Sequence, residues 1–202
     1  WLHTHEEETD MPHYCGIDLH SNNHVLVVID DEDKRVFERR LNNDLALTLE
    51  ALSPYRETLQ GIAVESTFNW YWLVDGLQEH GYDLQLVNTA AVRQYDGLKY
   101  SGDSHDAFHL AHLMRLGILP TGYIYPKEQR AIRDLLRRRL LLVRSASTQL
   151  ISVQSQLWRS TGIRIKTREL RNPQFVPPCV DDYTLQAVCA GLAVYQALQR
   201  EI

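Results

Sequence analysis

Apolar and polar positions along the chain follow two rhythms, a short alternating one and then a long helical one. Residues 13–19 are short, apolar-rich and run into Asp18-Leu19-His20, which predicts a strand. Asn22-Asn23 signals a turn, and residues 25–29, rich in β-branched side chains, predict a second strand. A charged turn over 30–34 leads to a third, alternating strand over 35–41. Three strands joined this tightly predict an antiparallel meander. Asn43 or Asp44 can cap a helix that runs to about Leu52 and places Leu45, Leu49 and Leu52 on one face. Pro54 breaks it, and a further helical stretch carries toward Leu59. Residues 61–65 predict a fourth strand buried on both faces, and 84–87 a fifth. Helices are expected over 69–79, stopped near Gly81, over 90–95, and over 104–116. The last turns Ala107, Leu110, Ala111 and Met114 inward and ends at Gly117. The order βββαβαβα predicts a mixed five-stranded sheet flanked by helices.

Residues 120–126 read as a linker. From Lys127 a helical period continues to about Trp158, with Ile132, Leu135, Leu136, Leu140, Val143, Leu150 and Val153 as apolar positions. Residues 162–178 are irregular and carry three prolines. Residues 184–202 are helical again, and the pattern stops without a cap, so the expectation is a piece of a longer protein. Met11 is a candidate natural start. The expected organisation is a tail or added segment over 1–12, a catalytic domain over 13–120 and a helical region over 127–202.

Composition narrows the class. Apolar residues make up 44% and charged residues 23%, as in globular proteins with a core. The longest apolar run, residues 187–195, is far below the roughly 20 residues of a membrane span. The N-terminus lacks the basic and apolar regions of a secretory signal. Cys15, Cys179 and Cys189 are odd in number and form no CxxC, which suits reduced thiols in a cytoplasmic protein. The net charge of -5 averages two unlike regions. Between Lys127 and Arg171, twelve Lys/Arg face three acids, leaving +9 there and -14 elsewhere. An acidic half suits metal binding or catalysis, and a basic half suits a polyanion.

Four acids stand out by position. Asp18 lies near the end of the first strand and Glu65 ends the fourth, and these strands are expected to be neighbours. Asp103 and Asp106 share the first turn of a helix. A charge closing an apolar strand is costly without a partner. Four converging carboxylates need cations, and an all-oxygen set suits Mg²⁺ or Mn²⁺. Such ions clamp the attacking and leaving oxygens of a phosphodiester.

Histidines offer a rival centre. Asp18 and His20 share a strand face, and His105, His109 and His112 recur along one helix, so a His/Asp metallohydrolase is conceivable. The plainer expectation has His105 and His112 solvated, His20 in a turn and His109 supporting Asp106 from behind. Gly16-Ile17-Asp18-Leu19-His20-Ser21-Asn22 also looks like the first phosphate hairpin of sugar-kinase-like and actin-like ATPases. Those proteins need a later Gly-rich loop, and the ten glycines here are scattered, with no Gly-Gly or GxG.

Three motifs together resemble one family. They are Tyr14-x-Gly16-Ile17-Asp18-Leu19-His20, Val64-Glu65-Ser66-Thr67-x-Asn69-Trp70 and Lys99-x-x-x-Asp103-x-x-Asp106-Ala107-x-x-Leu110-Ala111. With Gly122 to Pro126 and Arg130-x-x-Arg133-Asp134-Leu135-Leu136-Arg137-x-Arg139, they are similar to the DEDD-type insertion-sequence transposases, a group that includes Piv-like DNA invertases. The resemblance covers residues 14–157. It implies a RuvC-like, RNase H-like fold, with Asp18, Glu65, Asp103 and Asp106 as catalytic residues holding Mg²⁺ or Mn²⁺. It implies that Lys99 lies near that site, against a phosphate. The helix carrying Arg130, Arg133, Arg137, Arg138 and Arg139 resembles the family's coiled coil, which implies nucleic-acid contact and a homo-oligomer. Members recombine DNA, and some use a structured guide RNA. The family's second domain, with its nucleophilic serine, has no match here; Ser145, Ser147, Ser152 and Ser155 read as helix surface. A stand-alone RuvC-like nuclease or junction resolvase, and a nucleic-acid-binding dimerisation module, are the alternatives.

Overall fold

Strands β1 (His13–Leu19), β2 (Asn23–Ile29), β3 (Arg35–Asn42), β4 (Leu59–Glu65) and β5 (Leu84–Val87) form one mixed sheet in the order β3-β2-β1-β4-β5. The computed structural model describes residues 11–92, 102–178 and 181–202. β1 pairs antiparallel with β2, and β2 with β3, which is the predicted meander. β1 pairs parallel with β4, with Ile17 opposite Val64, and β4 pairs parallel with β5. The parallel pairs need crossovers. Helix α1 (Leu45–Leu52) lies on the first and α2 (Tyr71–Glu79) on the second. Edge strand β3 is mostly exposed and carries Arg35, Glu38, Arg39 and Arg40, charges that discourage pairing with another chain.

The sheet is covered on both faces. Cys15, Ile17, Leu19, Leu26, Val28, Ile62 and Val64 pack with Leu52, Leu73, Val74 and Leu77 of α1 and α2. Val25, Val27 and Ile29 pack with Ala107 and Ala111 of α4 (Asp103–Arg115), and Ala63 and Val87 with Leu110. α4 sits unusually close to β1, because a Cβ on Gly16 would stand 1.9 Å from the Ala107 carbonyl oxygen. The C-terminal end of α4 is latched to the β2–β3 turn. There Asp33, in the left-handed region at φ 65, accepts from His112 Nδ1 and Arg115 Nε, both at 2.7 Å.

Several boundaries differ from the pattern reading. Asp44 is the cap of α1, accepting from Ala46 N at 2.7 Å. Thr48 and Ala51 are buried beside Leu52, while Leu45 and Leu49 are only partly covered. The helical stretch toward Leu59 is a single 3-10 turn, Ser53–Tyr55, and Leu59 already opens β4. The helix expected from residue 69 starts at Tyr71, because Thr67 and Asn69 bond to each other in the preceding loop. Helix α3 covers Thr89–Val92, and the rest of the 90–95 expectation lies outside the described residues. In α4, Leu113 is buried and Met114 only partly.

The chain divides into two compact units, Trp1–Ile124 and Tyr125–Ile202. The second is helical: α5 (Lys127–Thr161), the short α6 (Thr167–Leu170) and α7 (Asp182–Glu201). Ala146, Leu150, Val153 and Leu157 of α5 pack on Val188 and Tyr195 of α7. In contrast, Ile132, Leu135, Leu136 and Leu140 are 48–68% exposed, so only the C-terminal half of the apolar stripe is buried. No helix among the described residues is long and apolar enough to cross a membrane.

Candidate active site

Strand pairing brings the first two carboxylates together. Ile17 is opposite Val64, so Asp18 and Glu65 follow at adjacent strand ends. Each alternates with a small residue, Gly16 or Ala63, on the face that α4 covers. The missing Cβ at Gly16 lets α4 come close enough to present Asp106 to both. Asp18, Glu65 and Asp106 line a cavity of about 120 Å³, with Thr89, Val92, His109 and Leu110 completing its wall.

The cavity is electrostatically incomplete. Asp18 is 5% exposed, and its buried Oδ2 makes no hydrogen bond among the described residues. Burial, together with the Asp18 and Asp106 carboxylates, pushes the Glu65 carboxyl up to about 8. A bond with the Leu19 backbone opposes this only in part. At neutral pH Glu65 therefore holds a proton, the response of crowded, buried acids. An all-carboxylate donor set of this kind suits a hard divalent ion.

Asp103 lies on the other side of Asp18. His20 Nε2 stands 3.2 Å from Asp18 Oδ2 and 3.3 Å from Asp103 Oδ2, and one donor atom from each of the three falls within 4.8 Å of the others. Arg40 of β3 forms an ion pair with Asp103, and with His20 it holds that carboxyl below the usual carboxylate range. Asp18 thus belongs to two groups, one with Glu65 and Asp106 and one with His20 and Asp103.

His20 is not the plain turn residue the pattern suggested. Its backbone N–H donates to the Asn23 carbonyl at 2.9 Å. Its carbonyl accepts from Asn43 Nδ2 and Asn69 Nδ2, each at 3.0 Å. Asn69 belongs to the motif that follows Glu65, so that motif supplies both an acid and a clamp. The sequence signal was Asp18 and His20 on one strand face. His112 also departs from expectation, being paired with Asp33.

Among the basic residues, Lys99 lies outside the described residues. Arg130 is 8% exposed, and its Nε donates to the Tyr125 carbonyl at 2.8 Å, fastening the start of α5. Arg133 stacks on Tyr125 and pairs with Asp134. Arg137, Arg138 and Arg139 are exposed. Cys15 is buried and Cys189 exposed, both free thiols, and burial pushes the Cys15 thiol up, away from reactivity. Cys179 lies outside the described residues.

The family model of the DEDD transposases of the insertion-sequence-110 group, described as a transposase, matches residues 15–160. The chain belongs to that transposase family. No curated protein matches it. The match begins in β1 of this transposase and ends in α5, so it spans all four acids and the Arg-rich segment. The sheet and its flanking helices are the RNase H-like arrangement of the family.

Proposed function

We propose that this transposase domain carries out divalent-metal-dependent phosphodiester chemistry on DNA, with Asp18, Glu65, Asp103 and Asp106 as its catalytic carboxylates. The observation that carries the reading is the convergence of Asp18, Glu65 and Asp106 on one cavity where Glu65 is forced to keep its proton. When bound, Mg²⁺ or Mn²⁺ supplies Lewis-acid polarisation of the phosphodiester and offsets charge building on the attacking and leaving oxygens. Asp18 is the shared carboxylate, rigid because it sits on a central strand. Glu65 would hold the cation as a carboxylate, its proton passing to water. Asp106 would add an oxygen from α4, and Asp103 would add another if freed from Arg40.

Exposed Arg137, Arg138 and Arg139, with Arg133 at the helix start, bind the phosphate backbone of DNA or of a structured guide RNA, and Lys99 is a further candidate phosphate contact. Arg130 holds its helix instead. The uncovered apolar stripe of α5 from Ile132 to Leu140 suits a coiled-coil contact between copies, giving a homo-oligomer in the cytoplasm. No serine in this chain is assigned as nucleophile, so the reading concerns the carboxylate-dependent step alone.

The test is a Mn²⁺ titration by calorimetry on the chain and on Asp18→Asn, with circular dichroism to check folding. Binding in the millimolar range or tighter, weakened at least about tenfold by Asp18→Asn, is the expected result. Equal binding by both proteins would sink the four-acid reading.

A further inference from the structure

We propose that His20 is a metal ligand of this site, adding a nitrogen donor that favours Mn²⁺ over Mg²⁺. The proposal rests on the reading that the four acids hold a cation, and adds to it which ion the site selects. Its first support is geometric. His20 Nε2 lies within 3.3 Å of an oxygen on both Asp18 and Asp103, so a single ring nitrogen faces two carboxylates at once. One ring proton can serve only one of the two carboxylates, whereas a cation held by all three donors serves both.

The second support is burial. Asp18 Oδ2 and His20 Nε2 are both closed off from solvent and lack a hydrogen-bond partner among the described residues. Asp18 as a whole is 5% exposed. Two buried electron-pair donors facing each other at 3.2 Å repel unless a proton or cation lies between them. The third support is rigidity. Asn23, Asn43 and Asn69 fix the His20 backbone from three segments, so the imidazole is delivered to a set place although its side chain is 37% exposed. Preorganisation of this kind is what a ligand needs and a solvated turn residue does not.

The chemistry then follows from donor type. Carboxylates suit Mg²⁺ and Mn²⁺ alike, whereas imidazole favours the transition ion. His109, on the wall of the neighbouring cavity, is the competing nitrogen and serves as the control.

The experiment is pulsed electron paramagnetic resonance on the Mn²⁺-loaded chain, reading the coupling of the ion to ¹⁴N. The expected result is a ¹⁴N coupling that persists in His109→Ala and disappears in His20→Ala and in the bulk-preserving His20→Gln. In parallel, the ratio of Mn²⁺ to Mg²⁺ affinity falls about tenfold in both His20 variants. Mn²⁺ bound without ¹⁴N coupling, or coupling that survives both His20 variants, overturns the role of His20 and leaves the four acids standing. Absence of Mn²⁺ binding altogether overturns both.

Discussion

Glu65 is where the molecule's electrostatics are least settled. Its carboxyl, ordinarily near 4.5, is pushed up to about 8 by burial and by Asp18 and Asp106. Between those values the folded state without a cation binds more protons than the unfolded chain. Stability without divalent ions therefore falls as pH rises from about 4.5 toward 8, the sign set by proton linkage. Urea unfolding at pH 5 and pH 8 in the presence of a chelator should show this loss. Glu65→Gln should flatten the slope, as should Mn²⁺, which takes the proton's place. A Glu65→Gln protein with the same slope as the parent would show that the proton sits elsewhere. The residue scale is also where sequence reading both succeeded and failed. Asp18 and Glu65 were legible because a charge closing an apolar strand is hard to explain otherwise. His20 was legible beside Asp18 on one strand face, but its clamp was not, because nothing in the spacing tells that Asn43 and Asn69 seize its carbonyl. Arg130 looked like its neighbours on a basic helix, and its burial and its bond to the Tyr125 carbonyl set it apart from them.

Between elements, the packing that matters most is β1 against α4. A Cβ at Gly16 would stand 1.9 Å from Ala107 O and 2.8 Å from Ala111 N, and neither is the movable end of a side chain. Gly16→Ala therefore drives α4 off the sheet and takes Asp103 and Asp106 with it. The expected cost is about 1–3 kcal/mol in urea unfolding, and Mn²⁺ affinity should disappear as well. Gly61→Ala is the contrast, since the one tight approach of its Cβ would be to the flexible Met114 Sδ, at 3.2 Å, and this variant should bind Mn²⁺ like the parent. The strands were readable from β-branched runs and turn residues, and the pairing of β1 with β4 from topology. The 3-10 turn at Ser53–Tyr55 was not, because Pro54 is compatible with a helix start as well as a break. The long helix was legible as a helix, but which half of its apolar stripe finds a partner is decided by α7, far along the chain.

At the scale of the whole molecule, the two units carry opposite charge, -12 over residues 1–124 and +7 over residues 125–202. If the exposed arginines of α5 follow the phosphate backbone, duplex DNA binding should weaken steeply with salt. Replacing Arg137, Arg138 and Arg139 with glutamine should then lower the slope of log affinity against log salt by about 0.9 for each phosphate no longer neutralised. Fluorescence anisotropy over a salt series measures this, and an unchanged slope assigns the phosphates to other residues. The spread of the site along the chain has a consequence for synthesis. Its acids run from Asp18 to Asp106, and the clamp on His20 draws on Asn43 and Asn69. A nascent chain that has emerged only through β5 holds two acids and no α4 to close the cavity over them. Emergence is vectorial, so the helix that brings the third and fourth acids is the last helix of this unit to leave the ribosome. The four carboxylates therefore cannot meet until this first unit is nearly complete.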